Sequence, residues 1–252
     1  FNMTQQTGLF EQTKTQQKVW RQKVEKLNKQ IKSLEADIEA IKNNKIYENA
    51  FEWRFEFPEV LDDNGDFRGF DIVIGNPPYI KEYEGKEIFD GLRENEVYQG
   101  KMDIWYMFAS DGTKLLKKDG LLSFIASNNW VTNSGASKLR NFLLENTEFY
   151  KLIDFTNFMV FDTASIQTMI MIFRKRQVKT HEFEYRKIIN QSPELTDAEC
   201  LIEGKKTENT LLIDSILKNS DSLNSTLNFN AKEVEQVCQK LSSKDVFYLD
   251  KD

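Results

Sequence analysis

The most informative stretch for the fold is residues 70–79, Phe70-Asp71-Ile72-Val73-Ile74-Gly75-Asn76-Pro77-Pro78-Tyr79. The first six form a short apolar run that is rich in β-branched residues, which favours a buried strand. Alternating helical and strand-like patterns follow, which predicts an α/β protein with an open, mostly parallel sheet. The last two strands are closely spaced, which predicts an antiparallel hairpin at the sheet edge. The later predicted helices cover Asp103–Lys117 and a segment from Ser134 or Ser137 to about Asn146, and the later strands cover Leu121–Ala126, Tyr150–Phe155 and Gln167–Phe173.

The tetrad Asn76-Pro77-Pro78-Tyr79 directly follows the first strand. Ligands of open parallel sheets bind beyond the carboxyl ends of the strands, so this turn lies where a site is expected. Pro78 holds Pro77 in an extended conformation, and neither proline has an N–H group, so the turn presents carbonyl acceptors. The side chain of Asn76 adds another acceptor, and Tyr79 adds an aromatic face. These groups predict a pocket for a planar group that bears an exocyclic amine.

This tetrad resembles the hallmark motif of the adenine-N6 DNA methyltransferases. The likeness extends to the fused type II restriction–modification enzymes, in which one chain holds both methylase and nuclease. Further motifs keep the order of that family over roughly residues 50–175, and together they make the resemblance specific. They are Phe51–Val60, Lys101–Phe108, Leu115–Gly120, Ser127–Trp130, Lys138–Leu143, and Val160-Phe161 followed by Gln167-Thr168.

The resemblance implies a partial Rossmann-like methyltransferase sheet and a target adenine that is flipped out of double-stranded DNA. Asn76 Oδ1 and the Pro77 carbonyl would accept hydrogen bonds from the amine of the adenine. Tyr79 and Phe161 would stack on its two faces, and such stacking contributes roughly 1–3 kcal/mol per base. Methyl transfer from S-adenosylmethionine would be direct, without a metal, and would rely on positioning and electrostatics. A chain with one His and two Cys fits this chemistry.

The cofactor signature of the family, a Gly-rich turn after the first strand of the sheet, does not occur in this sequence. An acidic residue for the cofactor ribose is not recognisable either. In the family both precede the tetrad, where this chain has only a helical segment and the lead-in at Phe51–Val60. The cofactor-binding residues therefore stay unassigned. We expect this chain to be part of a longer protein, to bind S-adenosylmethionine poorly or not at all, and to be inactive alone.

The N-terminal segment has an a/d heptad pattern over three repeats, which predicts a long helical arm resembling a coiled coil. Its narrow apolar seam requires another helix rather than a broad core. A helix of the same protein is favoured over a homodimer, since bulky Trp20 fits poorly in two strands, and a DNA-backbone contact is the third alternative. The seam consists of Trp20, Val24, Leu27, Ile31, Leu34, Ile38 and Ile41.

The charge of the chain is unevenly distributed. Its 252 residues carry a net charge of −6, which by itself argues against binding nucleic acid. From Lys14 to Lys45, however, nine basic residues accompany four acidic ones, so this segment is near +5 and the rest near −11. Arg174, Lys175 and Arg176 form another basic cluster. They are candidate contacts for the DNA backbone, and protection of an edge strand by charge is the alternative.

These patterns predict three parts: a helical arm over 1–49, the C-terminal half of a methyltransferase catalytic domain over 50–176, and the start of a recognition or accessory domain over 177–252. His181 is expected at the surface. No apolar run approaches the roughly 18 residues that span a membrane, and the few cysteines favour a cytoplasmic protein.

Two other functions stay open at this point. One is a protein glutamine N-methyltransferase, because a side-chain amide also bears a planar NH₂ group. The second aromatic residue, Phe161, argues against it. The other is a non-enzymatic helical interaction module on an inactive methylase remnant, against which the intact tetrad argues.

Overall fold

The structure is a computed structural model that describes residues 14–42, 56–161, 166–234 and 237. By its internal contacts the chain divides into two units, residues 1–59 and residues 60–252. In the first unit, helix α1 spans Lys14–Lys42 and confirms the helix that the heptad pattern predicts. The lead-in motif at 51–60 lies partly outside the described residues. None of the helices in the described ranges is long and apolar enough to cross a membrane.

The second unit is built on one six-stranded sheet with the strand order β1-β2-β4-β3-β5-β6. Helices pack on the sheet, so the predicted α/β class is confirmed. The strands are β1 (Phe70–Gly75), β2 (Leu116–Ser127), β3 (Glu148–Asp154), β4 (Thr168–Arg174), β5 (Thr180–Ile188) and β6 (Thr210–Lys218). The helices are α2 (Trp105–Leu115), α3 (Ser137–Asn146), α4 (Leu195–Glu203) and α5 (Asn219–Ser222).

The sheet is mixed, so the expectation of a mostly parallel sheet is wrong for the described strands. Only the pairs β1–β2 and β3–β5 are parallel. The β3–β4 pair is antiparallel, as predicted, but it lies in the middle of the sheet rather than at its edge, because β4 inserts between β2 and β3. The run Met169–Phe173 is apolar on both faces, which suits a central strand.

The sheet continues past the boundary predicted between residues 176 and 177. Residues 151–154 of β3 pair in parallel with residues 184–187 of β5. The expectation of a surface position for His181 is wrong: the side chain is fully buried. Its Nδ1 accepts a hydrogen bond from the Phe149 amide at 3.3 Å, and its Nε2 lies 2.8 Å from Asn219 Oδ1. Alternation along β5 places His181 on the same inward face as Phe183 and Tyr185.

The main core lies between the sheet and helices α2 and α3 and includes Trp105, Trp130 and Phe149, which are all fully buried. Gly112 lets α2 approach β2 closely, since a β-carbon at this position would lie 2.9 Å from Leu122 Cδ1. Helix α2 therefore packs directly on β2, and the carboxyl ends of β1 and β2 carry the turns described next.

The buried side chain of Arg140 stabilises the turn after β2. Its side chain is 2% exposed, and its guanidinium donates hydrogen bonds to the backbone carbonyls of Trp130, Asn133 and Ser225 at 2.6–2.8 Å. Among the described residues no carboxylate pairs with this guanidinium, so the buried cation is stabilised by carbonyl dipoles. Removing it would leave these acceptors without their donor.

Candidate active site

The tetrad lies at the carboxyl end of β1, as the sequence predicts. Gly75, the last residue of β1, pairs with Phe124 near the end of β2, so the turn that follows is next to the end of a second parallel strand. Asn76 is exposed, Pro77 is buried and Tyr79 is partly buried. The acceptor side chain of Asn76 therefore faces solvent from a turn that is anchored by its neighbours.

The Tyr79 hydroxyl joins the tetrad to β2. Its oxygen lies 2.5 Å from Asn76 Oδ1 and 2.9 Å from the carbonyl oxygen of Ile125. A hydroxyl has a single proton, so the two acceptors share one donor. The contact holds the Asn76 carboxamide with its oxygen toward Tyr79. Because an amide oxygen has two lone pairs, Oδ1 keeps one for another donor.

The fold brings Phe161 close to Tyr79. Phe161 precedes β4, and Thr168 at the start of β4 pairs with Ser127 at the end of β2, which brings this part of the chain to the same edge of the sheet. The two ring centroids are 6.4 Å apart and the ring planes are inclined by 55°. A flat group in contact with two parallel rings needs about 7 Å between them. The 6.4 Å separation of the rings is thus close to the distance that a base between them requires. Their 55° inclination, however, departs from the parallel arrangement that stacking on both faces of a base requires.

A buried carboxyl group that the sequence analysis placed only at the start of a predicted helix lies beside the tetrad. Asp103 is 4% exposed and forms a β-bridge with Lys81, two residues after Tyr79. Burial raises its pKa to about 6, although the charge of Lys81 opposes this. Burial, and then the negative charge of Asp103, raise the pKa of Tyr79 to about 12. The signal that could have found this residue is one acidic side chain inside the apolar run 102–108.

The three basic candidates lie at the other end of the sheet. Arg174, the last residue of β4, pairs with Leu121 of β2, and β2 runs from there toward the tetrad edge. Lys175 and Arg176 follow directly and line a cleft of about 980 Å³ that includes Phe67 and Phe142 but none of the tetrad. The structure therefore does not bring these residues together with Asn76.

Each of these cations has partners within the chain. Arg174 donates to Glu148 at 3.2 Å, and Arg176 donates to Asp119 at 2.7 Å. The ammonium of Lys175 donates to the carbonyls of Lys114 and Leu116. A DNA-backbone role for Arg174, Lys175 and Arg176 stays a prediction that these contacts do not favour.

The described residues do not form a site that fits S-adenosylmethionine. The turns after β1 and β2 are the tetrad and Ser127–Asn129, and neither is Gly-rich. The acidic residue at the end of β3, Asp154, is held by Asn128 Nδ2 at 2.9 Å and by the Tyr185 hydroxyl at 3.2 Å. Within the same ranges no group of three or more His, Cys, Asp or Glu side chains could hold a metal ion.

Comparison with known proteins adds a family. Residues 2–161 match the family described as Eco57I restriction-modification methylase. A putative type II restriction enzyme and methyltransferase of Methanocaldococcus jannaschii is 30% identical over 188 residues, covering 67% of this chain and 15% of that protein. A type II methyltransferase of Aneurinibacillus aneurinilyticus is 25% identical over 191 residues, covering 74% of this chain and 31% of that protein.

Among solved structures, the modification subunit of a putative type I restriction enzyme from Vibrio vulnificus is similar with a TM-score of 0.44 and 14% identity. That similarity covers 65% of this chain and 37% of the Vibrio chain. The chain spans less than a third of the length of the two relatives named above.

Proposed function

Because this chain belongs to the Eco57I restriction-modification methylase family, we propose that its second unit holds the target-base site of a DNA methyltransferase in a restriction–modification system. The longer protein would transfer a methyl group from S-adenosylmethionine to the N6 amine of adenine in double-stranded DNA, in the cytoplasm. The hydrogen-bonded pair of Asn76 and Tyr79 at the carboxyl end of β1 carries this proposal. The two relatives are named as a putative type II restriction enzyme and methyltransferase and as a type II methyltransferase, which supports DNA, rather than a protein glutamine, as the substrate.

Two acceptors at the tetrad would hold the amine. The free lone pair of Asn76 Oδ1 and the carbonyl of Pro77 would each accept a hydrogen bond from one N–H group of the amine. These two hydrogen bonds orient the amine and increase the electron density on its nitrogen, which must act as the nucleophile. The Tyr79 hydroxyl contributes by keeping the oxygen of the Asn76 side chain, and not its NH₂ group, in place.

The two aromatic rings would hold the base itself. Tyr79 is anchored to the Ile125 carbonyl of β2, so its ring has little freedom to turn. The 55° inclination between the rings must decrease when a base enters. We therefore expect Phe161 to reorient on binding, and to stack on the face of the base that Tyr79 leaves free.

S-Adenosylmethionine would supply the methyl group, and no residue of this chain is assigned to hold it, because the described residues do not fit such a site. The arm over 1–49, the catalytic half over 50–176 and a recognition or accessory part from 177 stay our proposed division. The strand pairing between β3 and β5 means that this last part contributes to the sheet itself.

The direct test incubates the full-length protein with S-adenosylmethionine labelled on its methyl group and with either duplex DNA or protein. Label in N6-methyladenine is the expected result. Label in cytosine would refute the assigned base, and label only in protein would refute the assigned substrate. Asn76→Ala should abolish transfer, whereas Asn64→Ala, at another exposed asparagine in the turn at 62–66, should not affect it.

A further inference from the structure

The apolar seam of α1 is exposed. The exposed fractions are 48% for Trp20, 43% for Leu27, 51% for Ile31, 61% for Leu34 and 51% for Ile38. In water a helix gains most of its stability by packing an apolar face. A 29-residue helix with this seam therefore needs a partner. We propose that α1 pairs with α1 of a second copy of this chain, in an antiparallel two-stranded coiled coil.

The antiparallel register resolves the difficulty with Trp20. With the two-fold axis at the level of residue 29, whose own side chain faces outward, each a residue of one copy faces a d residue of the other. In this register Trp20 faces Ile38 of the second copy, and the central layer is formed by Leu27 and Ile31. A parallel pair would instead place Trp20 against Trp20. Each antiparallel layer between residues 20 and 38 combines one β-branched residue with a Leu or with Trp20, so the bulk of the two Trp20 side chains is separated along the seam.

The charges beside the seam match the same register. In antiparallel pairs, e positions face e positions and g positions face g positions. Arg21 therefore faces Glu35 of the second copy, and Lys23 faces Asp37, which gives four ion pairs in the dimer. All four side chains are exposed and available. In a parallel register Lys23 would face Asn28, and only one acidic position, Asp37, would face a basic one.

The residues that flank the seam nearest the two-fold axis are uncharged. A side chain at the axis meets its own copy, so a charge there would meet a like charge. The e position nearest the axis is Asn28 and the g position nearest it is Gln30. Much of the basic excess lies on the outer face of the helix, at Lys18, Lys26, Lys29 and Lys32. Repulsion between these lysines of the two copies is therefore weak, because they lie far from the seam.

Sedimentation equilibrium of the 252-residue chain tests this. We expect a particle of twice 29.6 kDa. Glu35→Lys with Asp37→Lys turns four attractive pairs into four repulsive ones and should weaken dimerisation by about tenfold or more. Glu25→Lys with Glu39→Lys makes the same change of net charge on the outer face and should change the dissociation constant by less than about twofold.

Mixing two variants tests the direction of the helices. A chain with Glu35→Lys and Asp37→Lys is combined with a chain that has Arg21→Glu and Lys23→Glu. In the antiparallel register the two form a heterodimer with four attractive pairs, while each alone associates weakly. A monomeric wild-type chain would overturn the proposal and indicate a helix elsewhere in the longer protein. Equal weakening by the seam and outer-face variants, or no heterodimer on mixing, would overturn it as well.

Discussion

Replacement of Tyr79 by Phe removes one hydroxyl group and keeps the ring. In the wild type this hydroxyl lies 2.5 Å from Asn76 Oδ1 and 2.9 Å from the Ile125 carbonyl. Asn76 is exposed, so water can replace the lost donor there, whereas the Ile125 carbonyl belongs to the sheet. One shared hydrogen bond of this kind contributes about 1 kcal/mol. For a unit of this size that corresponds to a decrease in Tm of about 2–4 °C.

Urea denaturation of the 252-residue chain measures this difference. Tyr83→Phe is the matched control, because Tyr83 is 66% exposed and its hydroxyl accounts for none of the hydrogen bonds described. We expect Tyr79→Phe to lower the free energy of unfolding and Tyr83→Phe to leave it unchanged. If both variants are as stable as the wild type, the Tyr79 hydroxyl does not anchor the turn.

The same variant should affect catalysis by the full-length protein. Without the hydroxyl, the Asn76 carboxamide can rotate and present its NH₂ group to the amine of the base. A loss of about 1 kcal/mol corresponds to a decrease of about fivefold in kcat. KM for DNA should stay the same, since the ring still stacks. Tyr79→Ala should weaken base binding as well, by the roughly 1–3 kcal/mol of stacking. If Tyr79→Phe and Tyr79→Ala lower activity equally, the hydroxyl and ring do not have separate roles.

Three further predictions concern this chain alone. Asp103 has a folded pKa of about 6 against a usual 3.8, so its stabilising contribution is complete below pH 3.8 and is lost as pH rises through 6; Asp103→Asn should remove that part of the pH dependence in urea denaturation, and an unchanged pH dependence would contradict it. Arg140→Met should lower the free energy of unfolding by about 3 kcal/mol, because three carbonyl acceptors, of which that of Trp130 is buried and the other two are partly buried, lose their donor, and a loss below about 1 kcal/mol in the same assay would show that they find other donors. Calorimetric titration should detect no micromolar binding of S-adenosylmethionine, and binding at that level would show that the cofactor residues lie within this chain.

Local sequence patterns predicted the helices and strands. The order of the strands in the sheet was not predicted, because it depends on pairing between residues that are distant in sequence. The run 70–75 forms β1, as its β-branched residues predict, but the expectation of a buried strand is wrong, because Ile72 and Ile74 are exposed at the edge of the sheet. The position of β4 between β2 and β3 depends on which strand edges remain free after folding, which periodicity does not encode. His181 could have been predicted as buried, since it shares the alternation of Phe183 and Tyr185 along β5.

The residues of the candidate active site were also predicted only in part. The acceptor and aromatic groups of the tetrad identified Asn76 and Tyr79. Phe161 was identified from the resemblance to a family whose motifs occur in the same order. The contact between the Tyr79 hydroxyl and the Ile125 carbonyl depends on the register of β1 against β2, so the sequence alone does not contain it. Asp103 was missed because its pKa depends on burial by residues that are distant in sequence.

β1 has a consequence for the dynamics of the site. Among the described strands it pairs only with β2, and on it Ile72 is 59% exposed and Ile74 is 78% exposed. An edge strand opens locally at a lower free energy than the strands inside a sheet. Asn76 directly follows this strand, so each local opening of β1 also displaces the acceptor. The lifetime of a correctly placed Asn76 is then set by the hydrogen-bond ladder between β1 and β2, and amide exchange along β1 would measure it.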